Sequence, residues 1–421
     1  MAQTVRALCG RPLFFPSRLA EDVASKWVKS GVWTPEFLAK NIGDSLTVKR
    51  ASSKFFMYAE ANGSNGMLPD FDAHRTDLVT LKPGEFFNKV VSGDPDGHRY
   101  YFTAPVLSLA PRLMDHVPEW ASLDLLESKG VEPWRCIRPY LSVWIGGKDV
   151  TTQAHYDVAN NVFVQVWGEK EFWLYPPSET PNLHVFPDAH PRARKSQVDF
   201  DQPDHTLFPR FKALPPPLKF VLKAGDALYV PPFWFHHVRA LTPSISLNVF
   251  SESRIKLAAA DAFQVPLPRA VLEGQDAHRR AQYIKLFLHL LLKKLPHIPQ
   301  TSAQFLTDLL QSRYKPLYHT GHTVHGAREK HASEGLYTPA PFATPPRAAL
   351  EQMPEAERRA METCLEPAVT QATLHLEQML TDCHSAEVEH RRGLTETVVG
   401  HLVELWAVRL LGAQHIFRGL S

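Results

Sequence analysis

Hydrophobic and polar positions alternate in short runs through the middle of the chain. Tyr140 to Ile145 alternates before a Gly146-Gly147 turn, and Asn161 to Trp167 turns at Gly168-Glu169 into Glu171 to Tyr175, which Pro176-Pro177 stops. Two alternating runs joined by a tight turn are a hairpin signature. Lys219 to Leu222 then reaches a turn at Ala224-Gly225-Asp226, Ala227 to Val230 ends at Pro231-Pro232, and Ile245 to Phe250 closes the set. Short strands separated by such turns predict a small antiparallel jelly-roll barrel, a double-stranded β-helix whose tapered interior can hold a metal near one mouth.

After residue 255 the period becomes helical. Ala281 to Lys294 is apolar around much of its circumference, which requires burial on more than one side, either against a second copy of the chain or inside the protein. Ser302 to Leu310 continues the helical pattern. Lys315 to Arg347 carries His319, His322, His325 and His331 among prolines at irregular spacing, which reads as a linker rather than a metal-binding tract. Helix resumes from Arg347 through Leu411, with a stripe of Val398, Leu402, Leu405, Trp406 and Arg409. The expected organisation is mixed α and β. A barrel domain with N-terminal α/β decoration spans 1–255, a helical pairing region 256–314, a linker 315–347 and a C-terminal helical extension 348–421.

Composition narrows the classes. The 421 residues, 44% hydrophobic and 21% charged, suffice for a sizeable core and a second subdomain. A formal net charge of +2 neither demands nor excludes nucleic acid, whose binding would need a local basic patch. The four cysteines, Cys9, Cys136, Cys364 and Cys383, form no C-x-x-C pair, so neither a disulfide framework nor a zinc site is indicated. No apolar run approaches a membrane span.

The candidate chemistry lies in Ala154-His155-Tyr156-Asp157 and Trp234-Phe235-His236. Two imidazoles and one carboxylate on one face of a metal form the facial triad of non-haem Fe(II) oxygenases, which keeps positions open for a co-substrate and dioxygen. His-x-Asp at the start of a strand would supply two ligands from one short piece of backbone, because residues i and i+2 project to the same side. His236 would follow another strand and complete the set.

Three stretches, AHYDVANNVFVQVWGEKEFWLYPP from Ala154, SQVDFDQPD from Ser196 and AGDALYVPPFWFHHV from Ala224, resemble the JmjC-type, cupin-fold Fe(II)/2-oxoglutarate oxygenases. GRPLFF from Gly10 and VWTPEFLAKNIG from Val32 extend the likeness over about the first 255 residues, the size of a large domain. Within the family the chain is most similar to hydroxylases of wybutosine in phenylalanine tRNA, and next to asparaginyl hydroxylases of hypoxia-inducible factor. The resemblance implies iron ligation by His155, Asp157 and His236, with His237 a packing neighbour. It implies that Lys170 receives the distal carboxylate of 2-oxoglutarate, and that Tyr101, Thr152, Asn161 and Asn248 line the co-substrate pocket. A lysine at the inner end of a barrel strand would otherwise be an expensive buried charge. The implied reaction is hydroxylation with dioxygen, on tRNA or, alternatively, on asparagine or histidine of a protein. Histone-lysine demethylation and a non-catalytic cupin scaffold are further alternatives. The resemblance also implies a homodimer paired through C-terminal helices. Arg6, Arg11 and Arg18, with no acid before Glu21, resemble a mitochondrial transit peptide, but Gly10 to Phe15 matches the family's first strand, so the expected compartment is the cytoplasm, with the nucleus also open.

An insertion from Ser178 to Leu218 interrupts the barrel. Arg192, Arg194 and Lys195 cluster in it, and Arg210 and Lys212 flank an aromatic. A long loop over a barrel mouth is where substrate recognition is expected, and cations interleaved with aromatics suit phosphate contact and base stacking. Taken singly, each cation reads as part of a solvated loop balanced by Asp199, Asp201 and Asp204; taken together, the five point toward RNA.

Overall fold

The computed structural model describes residues 10–16, 31–56, 76–116, 141–318 and 353–412 apart from single-residue gaps, together with 323–324, 327–328 and isolated positions 28, 416 and 420. The six alternating runs become six of the twelve strands that make up two antiparallel sheets among the described residues. The twelve are β1 (Leu13–Phe15), β2 (Leu46–Ala51), β3 (Asp77–Leu81), β4 (Arg99–Pro105), β5 (Leu141–Gly146), β6 (Thr151–Tyr156), β7 (Asn160–Trp167), β8 (Lys170–Tyr175), β9 (Leu218–Leu222), β10 (Ala227–Val230), β11 (Phe235–Ala240) and β12 (Ser244–Ser251). Eight pair in the order β1-β10-β7-β12-β5-β4-β2-β3, and four in the order β6-β11-β8-β9.

Alternation decides what each face of the larger sheet does. Leu141, Val143 and Ile145 of β5, Val162, Val164 and Val166 of β7, and Ile245, Leu247 and Val249 of β12 share one core. Trp33, Leu38, Phe86, Phe87 and Val90 complete that core, and they come from the helices α1 (Pro35–Asn41) and α2 (Pro83–Ser92) and the turn before α1. The α1 helix starts where it does because the Thr34 side chain accepts from the Phe37 N–H and Pro35 sits in the first turn. The intervening residues Trp144, Asn161, Phe163, Asn248 and Phe250 face the other way and line a cavity. Phe172 and Leu174 of β8, Trp234, and Val238 of β11 pack with Phe163 across the sandwich. The β7–β8 turn needs Gly168. Its φ is +73°, and a Cβ there would lie 2.1 Å from the Pro243 carbonyl oxygen.

Contacts divide the chain into two units: 1–58, 73–175 and 216–253; and 59–72, 176–215 and 254–421. The insertion therefore belongs with the helices, whereas its position between strands suggested membership of the barrel domain. Its polar groups explain the grouping. His184 Nδ1 lies 2.9 Å from the Ser312 carbonyl, Gln197 Nε2 donates to the Arg313 carbonyl at 2.8 Å, and Asp188 pairs with His401.

The helices of this unit include α3 (Arg254–Phe263), α4 (Ala277–Lys293), α5 (Ser302–Leu309), α6 (Glu355–Asp382) and α7 (Val388–Leu411). Of the two ways to bury α4, the chain uses the internal one. Tyr283, Ile284, Leu286, Phe287, Leu288, Leu291 and Leu292 are all buried, and Phe287 stacks on Trp406 of α7 at 4.0 Å between ring centroids. The apolar surface that suggested pairing through this helix is consumed within the chain. The helix expected from Arg347 to Leu411 is instead two helices, α6 and α7, broken between Asp382 and Val388. The expected linker begins instead with a 3-10 turn, Lys315–Tyr318, and the rest of it, including His319, His322, His325 and His331, lies outside the described residues except for the pairing of Thr323–Val324 with Ala327–Arg328. Arg6 and Arg18 lie outside them too.

Candidate metal centre and cavity

His155 and His236 are direct cross-strand partners in the antiparallel register of β6 and β11. Cross-strand partners sit close enough for side-chain contact, and here the imidazole centroids are 4.1 Å apart. Asp157 follows β6 immediately, and its Oδ2 lies 3.5 Å from His236 Nε2. One ligand atom from each of the three residues can be chosen within 4.8 Å of the others. The His-x-Asp pair thus closes its strand instead of opening it, and His236 lies inside a strand, β11, that the sequence reading missed. Two adjacent histidines and an arginine hide the alternation in Phe235–Ala240.

Hydrogen bonds orient the rings. His155 Nδ1 lies 2.8 Å from the Gln153 carbonyl and His236 Nδ1 3.2 Å from the Trp234 carbonyl. A carbonyl can only accept, so each Nδ1 is the donor in these bonds, and Nε2 is the ring atom that each histidine could offer to a metal. The loop before His236 is tied to the third ligand, since the Phe233 N–H donates to the Asp157 carbonyl at 2.7 Å. Phe233 adopts a left-handed φ of 64°, uncommon for a bulky residue, and its ring stacks on Tyr156. Two neutral imidazole nitrogens and one carboxylate oxygen suit a divalent iron.

A bulge brings a further residue into the cavity. His155 opposes His236 and Thr152 opposes Val238, so three steps on β6 match two on β11. The extra residue re-aims the strand, and Thr152 and His155 line one cavity despite their odd separation. Tyr101 joins Thr152 through a side-chain hydrogen bond, and burial holds its phenol well above the usual range, so it remains protonated.

The cavity, of ≈ 120 Å³, brings together His155, Asp157, His236, Lys170, Tyr101, Thr152, Asn161 and Asn248. Lys170 is 4% exposed, its Nζ lies 5.2 Å from the Phe163 ring centroid, and no carboxylate pairs with it among the described residues. Burial pushes its pKa down to about 7. Along β11, His236 opposes Leu174 and Ala240 opposes Lys170. Four strand residues, roughly 13 Å, therefore separate the metal end from the lysine end. His237 points elsewhere: it is buried against Trp173, with ring centroids 5.5 Å apart.

The basic residues of the insertion do not form one exposed set. Arg192 is 1% exposed, with its guanidinium over Phe186, so it cannot meet a phosphate as expected. Arg210 is half-buried and paired with Asp308. Arg194 and Lys195 are half-buried, and Lys212 is exposed. A second triad of ligand types, Asp94, Asp96 and His98, already holds the Lys89 ammonium 2.7 Å from Asp94.

The sequence profile of the cupin-like domain matches residues 19–256. The chain is similar to tRNA wybutosine-synthesizing protein 5 of Danio rerio, 31% identical over 233 residues that make up 52% of this chain and 63% of that protein. It is 36% identical over 107 residues, 25% of this chain, to JmjC domain-containing protein D of Dictyostelium discoideum, covering 24% of it. It is 24% identical over 230 residues, 54% of this chain, to lysine-specific demethylase 8 of Xenopus tropicalis, covering 46% of it. The chain thus spans less than two thirds of the length of each of these relatives. With a jelly-roll sandwich, a two-histidine, one-carboxylate centre and a domain-wide match, the chain belongs to the cupin-like domain family, with JmjC proteins among its relatives.

Proposed function

We propose that the chain is an Fe(II)/2-oxoglutarate-dependent hydroxylase that acts on wybutosine in phenylalanine tRNA. The observation that carries the oxygenase reading is the convergence of the three ligands and a buried, unpaired lysine on opposite ends of one cavity. His155, Asp157 and His236 would hold iron, and Lys170 would take the far carboxylate of 2-oxoglutarate, assisted by the Tyr101 and Thr152 hydroxyls. Bound together, iron and the 2-oxo acid supply oxidation by dioxygen: a substrate C–H becomes C–OH while 2-oxoglutarate is converted to succinate and carbon dioxide. The chain's own work is to fix the co-substrate at both ends and to keep the reacting carbon away from bulk water.

The tRNA substrate is supported by likeness to the fish wybutosine-synthesizing protein over half the chain. With Arg192 buried, any phosphate contact from the insertion falls to Arg194, Lys195 and Lys212. The test is mass spectrometry of nucleosides from wybutosine-containing phenylalanine tRNA incubated with protein, Fe(II) and 2-oxoglutarate. One added oxygen on wybutosine is expected. Unchanged tRNA, with oxygen added instead to asparagine- or histidine-containing peptides, would move the substrate to protein and leave the oxygenase reading standing.

A further inference from the structure

Trp144 stands on the cavity face of β5, where its neighbours Val143 and Ile145 point into the outer core. Its indole Nε1 donates to Asn248 Oδ1 at 2.6 Å. Asn248 Nδ2 in turn donates to Asn161 Oδ1 at 3.0 Å. The direction of this chain is dictated by its first member. An indole N–H can only donate, whereas an asparagine amide can present either end. Trp144 therefore fixes the oxygen of Asn248 toward itself, Asn248 must turn its NH2 to Asn161, and Asn161 must answer with its oxygen. What remains of Asn161 is its NH2, which has no partner among the described residues and belongs to a residue lining the cavity.

The position of that NH2 gives it a partner class. The β7 strand starts at Asn160, three residues after Asp157, and runs away from the metal end to the Gly168 turn that leads into Lys170. Asn161 is thus at the metal end and Lys170 at the other. We infer that Trp144 is a positioning residue that sets the polarity of the Asn248–Asn161 pair, so that Asn161 offers N–H donors to the metal-end carboxylate of the 2-oxo acid. With the relay reversed, Asn161 would turn a carbonyl oxygen toward that anion and repel it. This inference rests on the 2-oxoglutarate reading given above.

The test is calorimetric binding of 2-oxoglutarate to the full chain loaded with Mn(II), which measures affinity without turnover. Trp144→Phe keeps the ring and removes the donor. It should weaken 2-oxoglutarate about tenfold, as expected when a hydrogen bond to a charged group is lost, and leave Mn(II) affinity unchanged. In an Asn161→Ala background the same substitution should change 2-oxoglutarate affinity little, because the group it positions is gone. Asn248→Asp, nearly isosteric, still accepts from the indole but can only accept from Asn161, forcing the wrong end of that amide into the cavity. It too should weaken binding at least about tenfold. An equal loss from Trp144→Phe in both backgrounds, or native affinity in Trp144→Phe or Asn248→Asp, would overturn the inference. If the unaltered chain binds Mn(II) but no 2-oxoglutarate, the co-substrate reading falls and this inference with it.

Discussion

At the scale of single residues, the account turns on ligands and one buried cation. Replacing His155, Asp157 or His236 by alanine leaves too few protein donors to hold a labile divalent ion. Each variant is expected to lose Fe(II)-dependent turnover and stoichiometric Mn(II) binding, whereas His237→Ala, which removes a ring packed on Trp173, should retain both. Lys170 makes a prediction in pH. Burial lowers its folded pKa to about 7, so the unfolded chain holds the extra proton between about pH 7 and its ordinary range, and the ligand-free protein should gain stability as pH rises through that window. The dicarboxylate needs the charged form, so its affinity should be greatest below about pH 7 and fall above it, with a proton taken up on binding. Calorimetry in buffers of different ionisation enthalpy reads that uptake directly. Lys170→Ala should raise the 2-oxoglutarate requirement at least about tenfold and abolish the pH dependence.

At the scale of elements, β6 and β11 make the site and α4 and α7 make the second core. The Phe287–Trp406 stack is fully buried, and Trp406→Ala should cost about 3–5 kcal/mol by leaving a cavity in a helical core. Chemical denaturation followed by circular dichroism is the readout. Gly393 on α7 approaches the Ser178 backbone so closely that a Cβ would lie 2.2 Å from its nitrogen, so Gly393→Ala should loosen the start of the insertion without touching the barrel cavity. The alternating strands β5, β7, β8, β9, β10 and β12 were legible because one face of each pleat meets a core. β11 was not, because its outward positions carry His237 and Arg239 and its inward ones the ligand His236 and Val238. The bulge in β6 left no mark either, since one extra residue is visible only against its partner strand. Trp144 was within reach: Leu141, Val143 and Ile145 alternate with Ser142 and Trp144, which places the tryptophan on the site face.

At the scale of the whole molecule, the eight residues assigned to metal and co-substrate fall on one cavity, and the insertion joins the helical unit. The cavity residues were legible through short motifs whose spacing the barrel constrains. The membership of the insertion was not, because it depends on buried partners more than 100 residues away, such as Ser312 for His184 and Glu404 for Asp188. Charged substitutions at Leu288 and Leu291, both 0% exposed, should unfold the helical unit rather than separate copies of the chain. Light scattering with circular dichroism separates these outcomes. On the proposed tRNA reading, Lys195→Glu with Lys212→Glu should weaken tRNA binding and flatten its salt dependence in a filter-binding titration. The central claim is that this cavity couples 2-oxoglutarate to oxidation through the His155, Asp157 and His236 centre. Release of carbon dioxide from carboxyl-labelled 2-oxoglutarate measures it most directly. The account predicts release that requires Fe(II) and dioxygen and disappears in a folded Asp157→Ala variant; no release from the unaltered chain, or undiminished release from that variant, would contradict it.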